Sequence, residues 1–397
     1  MNRLYMTILL LFTCNTLLAQ EQPPEKEKGK GITRNDIESG SYEGLVFTDV
    51  RGIRLRFNGF VQADFIHDFN DMANKYGFQP STITVPTLHD ANTVFSYRQS
   101  RFAFTALGPV DRRGRFLKAV LEFDLWGNNT GNPRLRHAYI EHGKWILGQT
   151  FSNFMNANIW PNIVDFWGPN AIISIRQPQL RFTQKLPKQY TLSVSVEQPG
   201  SDIILPLTWE KRTVYPDVTA ALQKNFGQEV ASHLRLAALL HPIDYKNGQA
   251  VKKTSFGYAG SFSGSIALHG KDDIRFQVNY GKGFSKFNEG ISGQGYDAYA
   301  KDLSIEPLEM LNYWAYYDRY WNDKWGSAIG WSSIRLFNTG SMGNAALRYS
   351  SYTSFNTTYY FTRYFKLAGE VLYGERKINT GERGNNVRLQ FTGFIRF

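Results

Sequence analysis

Glu122 and Asp124 stand two residues apart in the segment LKAVLEFDLW. On a strand such a pair shares one face at a separation of about 7 Å, which general acid and base catalysis can use. No nucleophile or second base lies near them in sequence, so a charged wall is the plainer reading. The seven histidines, from His67 to His269, form no HxH or HExxH pattern, and the lone Cys14 gives no Cys/His spacing. No GxSxG elbow, P-loop or GxGxxG turn occurs, and GKGFSK at 281–286 fails both nucleotide patterns. No catalytic, cofactor-binding or metal-binding residue is assigned, and no cofactor is expected.

Basic residues give a stronger pattern. Arg54, Arg56, Arg101, Lys118, Arg181, Lys185, Arg235, Arg275, Arg348, Arg388 and Arg396 fall on the polar parity of segments that alternate apolar and polar residues. Arg98 joins them only if a bulge intervenes, because strict alternation turns it the other way. Asp64, Glu122, Asp124, Glu197 and Glu370 share the same parity and are outnumbered. Inside a narrow water-filled pore, such ladders of Arg and Lys attract anions, because a low-dielectric wall focuses their field. Pairing with the carboxylates, which would only stiffen the wall, is the competing outcome.

The elements that must position these residues are strands. In IRLRFNGFVQADF, Ile53, Leu55, Phe57, Val61 and Phe65 share one face, and Arg54, Arg56, Asn58, Gln62 and Asp64 share the other. The pattern recurs in QLRFTQKL, YTLSVSVE, HLRLAALL, DIRFQVNY and FKLAGEVLYG, and about 16 strands can be placed. Connections alternate in length. Short ones lie near 108–114, 141–144, 187–188, 227–229, 270–272, 320–324 and 362–366, and longer ones near 68–92, 127–132, 151–171, 199–212, 242–253, 283–308, 338–344 and 379–384. A transmembrane antiparallel β-barrel segregates turns and loops in this way, and a soluble sandwich has no reason to.

The two chain ends agree with that reading. MNRLYMTILLLFTCNTLLAQ has the layout of a signal peptide over residues 1–20, with an apolar run too short to span a bilayer as a helix. Residues 21–52 read as a polar periplasmic leader and 53–397 as the barrel. The chain ends in NNVRLQFTGFIRF, with Leu389, Phe391, Ile395 and Phe397 on one parity, as a strand that closes a cylinder would. Tyr190, Trp325, Tyr359 and Phe361 cluster at short turns, where an interfacial aromatic girdle belongs. The net charge of +11 favours anionic partners, and export excludes nucleic acid as one. One long connection, FSNFMNANIWPNIVDFWGPN, is too apolar for a wetted external loop. Phe154, Trp160, Asp165, Phe166 and Trp167 are expected to fold into the barrel as a constriction near 151–171, with packing over a neighbouring barrel's rim as the alternative.

Three segments, GSYEGLVFTDVRGIRLRFNGFVQADFIHDF, SYRQSRFAF and RLRHAYIEHGKWILGQTFSNF, together with the closing strand, resemble the DcaP-like trimeric porins of Gram-negative outer membranes. The resemblance implies a 16-stranded barrel, a homotrimer, and diffusion of small anionic solutes such as dicarboxylates. Arg98 and Arg101 match basic positions of the family's second-strand motif, and Gln149 and Ser152 match the stretch entering the inward loop. Relatives can carry an amino-terminal coiled coil, and residues 21–39 are too short for one and lack apolar heptads. The expected partners are two further copies of the chain, outer-membrane lipid including lipopolysaccharide, and small anions. A barrel-borne hydrolase and a plugged receptor or adhesin using the 283–308 loop remain as other functions the same residues could serve.

Overall fold

The computed structural model describes residues 44–50, 52–109, 111–112, 114–127, 131–227, 232–268 and 271–397. The expected signal peptide and most of the leader lie outside them. The strands are β1 (Leu45–Val50), β2 (Ile53–Asp68), β3 (Asn92–Ser96), β4 (Arg101–Leu107), β5 (Leu117–Gly127), β6 (Asn132–His142), β7 (Trp145–Phe151), β8 (Arg176–Leu186), β9 (Tyr190–Glu197) and β10 (Glu210–Arg212). They continue as β11 (Asp217–Phe226), β12 (Ser232–Lys246), β13 (Lys252–Ala267), β14 (Asp273–Lys282), β15 (Ala298–Lys301), β16 (Ser304–Pro307), β17 (Glu309–Tyr320), β18 (Trp325–Leu336), β19 (Leu347–Tyr360), β20 (Phe365–Ile378) and β21 (Arg383–Arg396).

All but β15 and β16 belong to one antiparallel sheet, which closes on itself as a 16-strand barrel. The pieces of sheet outnumber the staves because some share one: β3 and β4 both pair with β2, and β10 and β11 both pair with β12. Strand β1 pairs with the start of β2 on the edge that β21 uses further along. Residues 45–50, expected within the leader, add a short strand beneath the last one. The chain turns tightly at 143–144, 187–189, 321–324 and 361–364, and at the opposite end it runs through 69–91, 152–175, 283–308 and 337–346. At 143–144 the two-residue hairpin needs a positive φ, and Gly143 supplies it at +61°.

Closure is made by backbone pairing between β2 and β21, from Phe60 opposite Arg396 to Asp68 opposite Arg388. Gly59 and Phe397 complete the seam with reciprocal N–H···O bonds of 3.1 and 3.0 Å. On the outer face Phe397 packs against Phe57 and Phe102, with ring centroids 5.3 and 6.2 Å apart. Gly59 leaves the space those rings need. A Cβ there would fall on the Arg101 carbonyl and 2.9 Å from the Phe397 ring.

The outer wall is apolar along every stave, with Val61, Leu121, Ile140, Leu147, Leu180, Leu236, Ile329, Val371 and Ile395 exposed. Trp325, Phe361 and Tyr190 are exposed at the turn end. The interior departs from simple alternation. A lumen lined by polar side chains alone is the expectation, yet Trp314, Tyr316, Ile334, Leu336, Tyr352 and Leu372 point inward and are buried. They meet Phe78 from 69–91, Phe154 and Trp160 from 152–175, and Phe287 and Ile291 from 283–308 in one apolar cluster. Three loops folded inward replace water on that side, so inward apolar residues find apolar partners. His241 holds the third loop, lying 2.6 Å from Asp217 of β11 and 3.2 Å from Asp297, while Lys286 sits 2.7 Å from Asp217.

Gly59→Val should overpack the closing seam by about 1–3 kcal/mol and lower the folded fraction seen as heat-modifiable mobility on gels. Wild-type folded yield in that variant would remove the seam's dependence on glycine.

Candidate functional site

Residues 152–175 cross the inside of the barrel along the wall, each stretch bonded to a different strand. Asn153 N–H donates to Glu197 of β9 at 2.8 Å, and Asn156 Nδ2 donates to Ser263 of β13 at 3.0 Å. Asn162 N–H donates to Asp318 of β17 at 3.1 Å, and its Nδ2 to Tyr360 of β19 at 3.0 Å. Val164 and Asp165 N–H both donate to one Glu370 oxygen on β20, at 3.0 and 2.8 Å. The return path bonds Ala171 N–H to Ser332 at 2.9 Å and Ile173 N–H to Gln277 at 3.0 Å. Loop backbone has no sheet ladder of its own, so inward carboxylates and amides of the staves satisfy its donors.

The loop residues singled out in the sequence take different parts. Phe154 and Trp160 lie in the apolar cluster, and Asp165 is fully buried, accepting from Phe78 N–H at 2.9 Å and Gly168 N–H at 2.8 Å. Trp167 and Phe166 reach the far wall, where Phe166 stacks on Trp126 of β5 at 4.0 Å and Trp167 lies 5.3 Å from it. Arg134 and Arg98 flank this contact over Phe166 and Tyr76, at 5.7 and 3.3 Å from the ring centroids. The loop thus spans the interior from β9 to β5.

The bases separate into groups that parity alone does not resolve. Arg388 is fully buried in a two-pronged pair with Asp68, both contacts 2.8 Å, and also donates to the carbonyls of Asn74 and Lys75. Arg275 is buried between Asp273 and Asp318 at 2.7 and 3.0 Å and donates to the Trp160 carbonyl. Both were expected to line the pore, and both instead anchor loops. Their carboxylate partners lie beside them on inward positions, and the folded loops cover the pair from water.

Arg101 lies 3.6 Å from Glu122, Lys118 lies 3.9 Å from Glu141, and Arg396 stacks on Tyr364 at 5.1 Å near the turn end. Arg54 is exposed and Arg56 half-buried on the inward parity of β2. Arg98 turns inward because four residues, 97–100, stand opposite three on β2 between the Ser96 and Arg101 pairings. Arg348 was expected inside and is not. A register shift between Leu347 and Tyr349 makes it an extra residue, exposed beside outward-facing Arg335 and Tyr349.

Arg181 and Arg235 are half-buried and meet no carboxylate within ion-pair distance among the described residues. Arg181 donates to Gln179 at 2.9 Å and to the Phe151 carbonyl, and Arg235 donates to the Asn153 carbonyl at 2.7 Å. Glu197 and Glu141 act on Arg181 only from beyond ion-pair distance, and both bases sit at the root of the inward loop.

Arg134 and Arg136 escape a reading by strict alternation. Glu122 pairs with His137 and Phe123 with Leu135, so Arg136 is the inserted residue of a bulge and turns inward beside its neighbours. A signal exists in the sequence: Leu135 and Ile140 both face lipid although they are five apart, which needs one extra residue between them. Arg134 holds Asp124 at 2.6 Å, and Arg136 holds Glu122 at 2.7 Å and Asp124 at 3.1 Å. The Glu122–Asp124 pair is thereby committed to arginines and stands as a charged wall.

A closed 16-strand barrel, apolar outside and entered by an inward loop, is an outer-membrane β-barrel of the porin class. The sequence profile of the DcaP outer membrane protein family matches residues 45–393. The chain belongs to that family and is a protein of the bacterial outer membrane. Among solved structures, the outer membrane channel DcaP of Acinetobacter baumannii superposes with a TM-score of 0.78 at 20% identity, over 90% of this chain and 100% of that one. The anion-selective porin from Comamonas acidovorans gives 0.61 at 10% identity, over 87% and 100% of the two chains. OprB of Pseudomonas putida gives 0.54 at 9% identity, over 86% and 94%. A search of curated proteins returned no match.

Asp68→Asn removes the two-pronged partner of buried Arg388 and leaves only Asp165, 3.9 Å away, to face its charge. It should cost about 3–5 kcal/mol, measured as a lower urea midpoint in detergent micelles, and an unchanged midpoint would show that the pair carries no stability.

Proposed function

We propose that this chain is a passive channel for small hydrophilic solutes, with a preference for anions and dicarboxylates among them. The observation that carries the reading is that Arg181 and Arg235 stand beside the inward loop with no carboxylate within ion-pair distance of either among the described residues. A fixed cation in a low-dielectric enclosure lowers the energy of a passing anion and raises that of a cation. Arg54, Arg56 and Lys118 extend the basic lining toward the turn end. Arg101, Arg134 and Arg136 offset Glu122 and Asp124, so those carboxylates present little net negative field. The aromatic tip of the loop, Phe166 and Trp167 against Trp126, narrows the passage and sets a size limit. Transport of this kind involves no bond making, which agrees with the commitment of Glu122 and Asp124 to arginines.

Association as a homotrimer belongs to the same proposal. It is supported by the family resemblance and by the trimer form of OmpT from Vibrio cholerae, which shares the fold at a TM-score of 0.53 and 12% identity. The membrane around it is expected to include lipopolysaccharide.

In planar bilayers the protein should give ohmic conductance, and its reversal potential in a salt gradient should have the sign of anion preference. Arg181→Gln combined with Arg235→Gln should reduce the anion-to-cation permeability ratio several-fold while leaving the folded fraction unchanged. A cation preference in the wild type, or an unaltered ratio in the double variant, would refute the role of these charges. Absence of any conductance would favour a plugged receptor.

A further inference from the structure

We propose that the outer wall of β18–β21 carries a binding site for the phosphorylated headgroup of an outer-leaflet lipid. The strand register places Leu311, Arg335, Tyr349, Lys377 and Arg383 in one row across neighbouring staves, all on the parity that faces away from the barrel axis. The bulge that ejects Arg348 adds it to the same patch. Together with Tyr313 these cations border a cleft of about 640 Å³. Strands lie about 4.8 Å apart, so the row from Arg335 to Arg383 extends about 15 Å.

The patch carries one carboxylate, Glu375, which lies 2.8 Å from Arg383. Arg335, Arg348 and Lys377 have no carboxylate partner among the described residues. Charges on the adjoining stretch of wall behave differently: Lys282 is 3.6 Å from Glu309, which also accepts from Tyr280 at 2.6 Å. The unmatched charge of β18–β21 contrasts with that adjoining stretch.

Height on the wall identifies the counterion. Arg335 and Trp325 are ten residues apart on β18, and at about 3.3 Å per residue with a tilt of about 40° the rise between them is about 25 Å. That equals the height of the apolar band of such barrels. Trp325 and Phe361 mark the interface at the turn end. Between the two levels the outward row of Tyr317, Ile329, Phe355, Val371 and Leu389 is apolar or aromatic. The cations consequently stand at the opposite interface, on the side of the long loops, which is the cell exterior. Arginines and lysines held at headgroup level recruit phosphate through charge-assisted bonds. Tyr313 and Tyr349 supply the amphipathic rings suited to the same level.

The test uses the full-length protein in detergent, titrated with lipopolysaccharide, with the same material after dephosphorylation, and with inorganic phosphate, bound mass being read by native mass spectrometry. Lipopolysaccharide should bind the wild type, dephosphorylation should weaken it, and the triple variant Arg335→Gln, Lys377→Gln, Arg383→Gln should bind about a hundredfold more weakly. The comparison of ligands uses wild-type protein, so it stands even if the triple variant folds poorly. Equal binding of dephosphorylated material would overturn the proposal. So would displacement of the lipid by inorganic phosphate at equal concentration, which marks a free-anion site, or cross-links between copies through positions 335 and 383, which mark a protein interface.

Discussion

Each backbone N–H and C=O in the hydrocarbon layer must find a partner within the protein, because leaving one unpaired costs several kcal/mol. Everything else in this fold follows from that requirement. A sheet satisfies it only by closing, and closure requires β21 to end against β2, with Phe397 bonded to Gly59. Once closed, the wall has two surfaces in two solvents. The same alternation that puts Leu389, Phe391 and Ile395 into lipid puts Arg388, Gln390 and Thr392 inside.

The inside is itself divided. Over the staves from β11 to β20 the inward side chains are covered by loops 69–91, 152–175 and 283–308, and an apolar cluster grows between wall and loop. Charge trapped under the loops is favoured in pairs, since an isolated buried ion is far costlier than a matched one. Arg388 with Asp68 and Arg275 with Asp318 meet that condition and fasten loops to the wall. Over the staves from β2 to β9, and at Arg235 on β12, the wall keeps half-buried bases, the ones the proposed function assigns to solutes. Loop anchoring and the proposed selectivity thus use one residue type, arginine, in two dielectric settings.

Bulges decide which setting a given charge enters. Because the side-chain period on a strand is two, one inserted residue exchanges the inner and outer faces. The insertion at 97–100 brings Arg98 inside, the one at Arg136 brings Arg134 and Arg136 to Glu122 and Asp124, and the one at Arg348 sends that arginine to the lipid side. Three single-residue irregularities account for much of the placement of charge in this barrel.

The amino-acid sequence by itself determined the barrel: period-two alternation, segregated turn and loop lengths, and the apolar parity of Leu389, Phe391 and Ile395 are local properties that survive without any tertiary contact. It also placed Arg56, Arg101, Lys118, Arg181 and Arg235 on the inner face, because they keep the parity that alternation assigns them. Only the tertiary structure decided which bases stay half-exposed and which, like Arg388 and Arg275, are consumed as counterions, since that depends on loops from distant parts of the chain arriving over them. It alone decided that Trp314 and Tyr352 face a packed interior, and that Arg348 leaves the lumen. Strand periodicity is encoded between neighbours in sequence, whereas burial and pairing are set by residues hundreds of positions apart, and no local pattern carries that information.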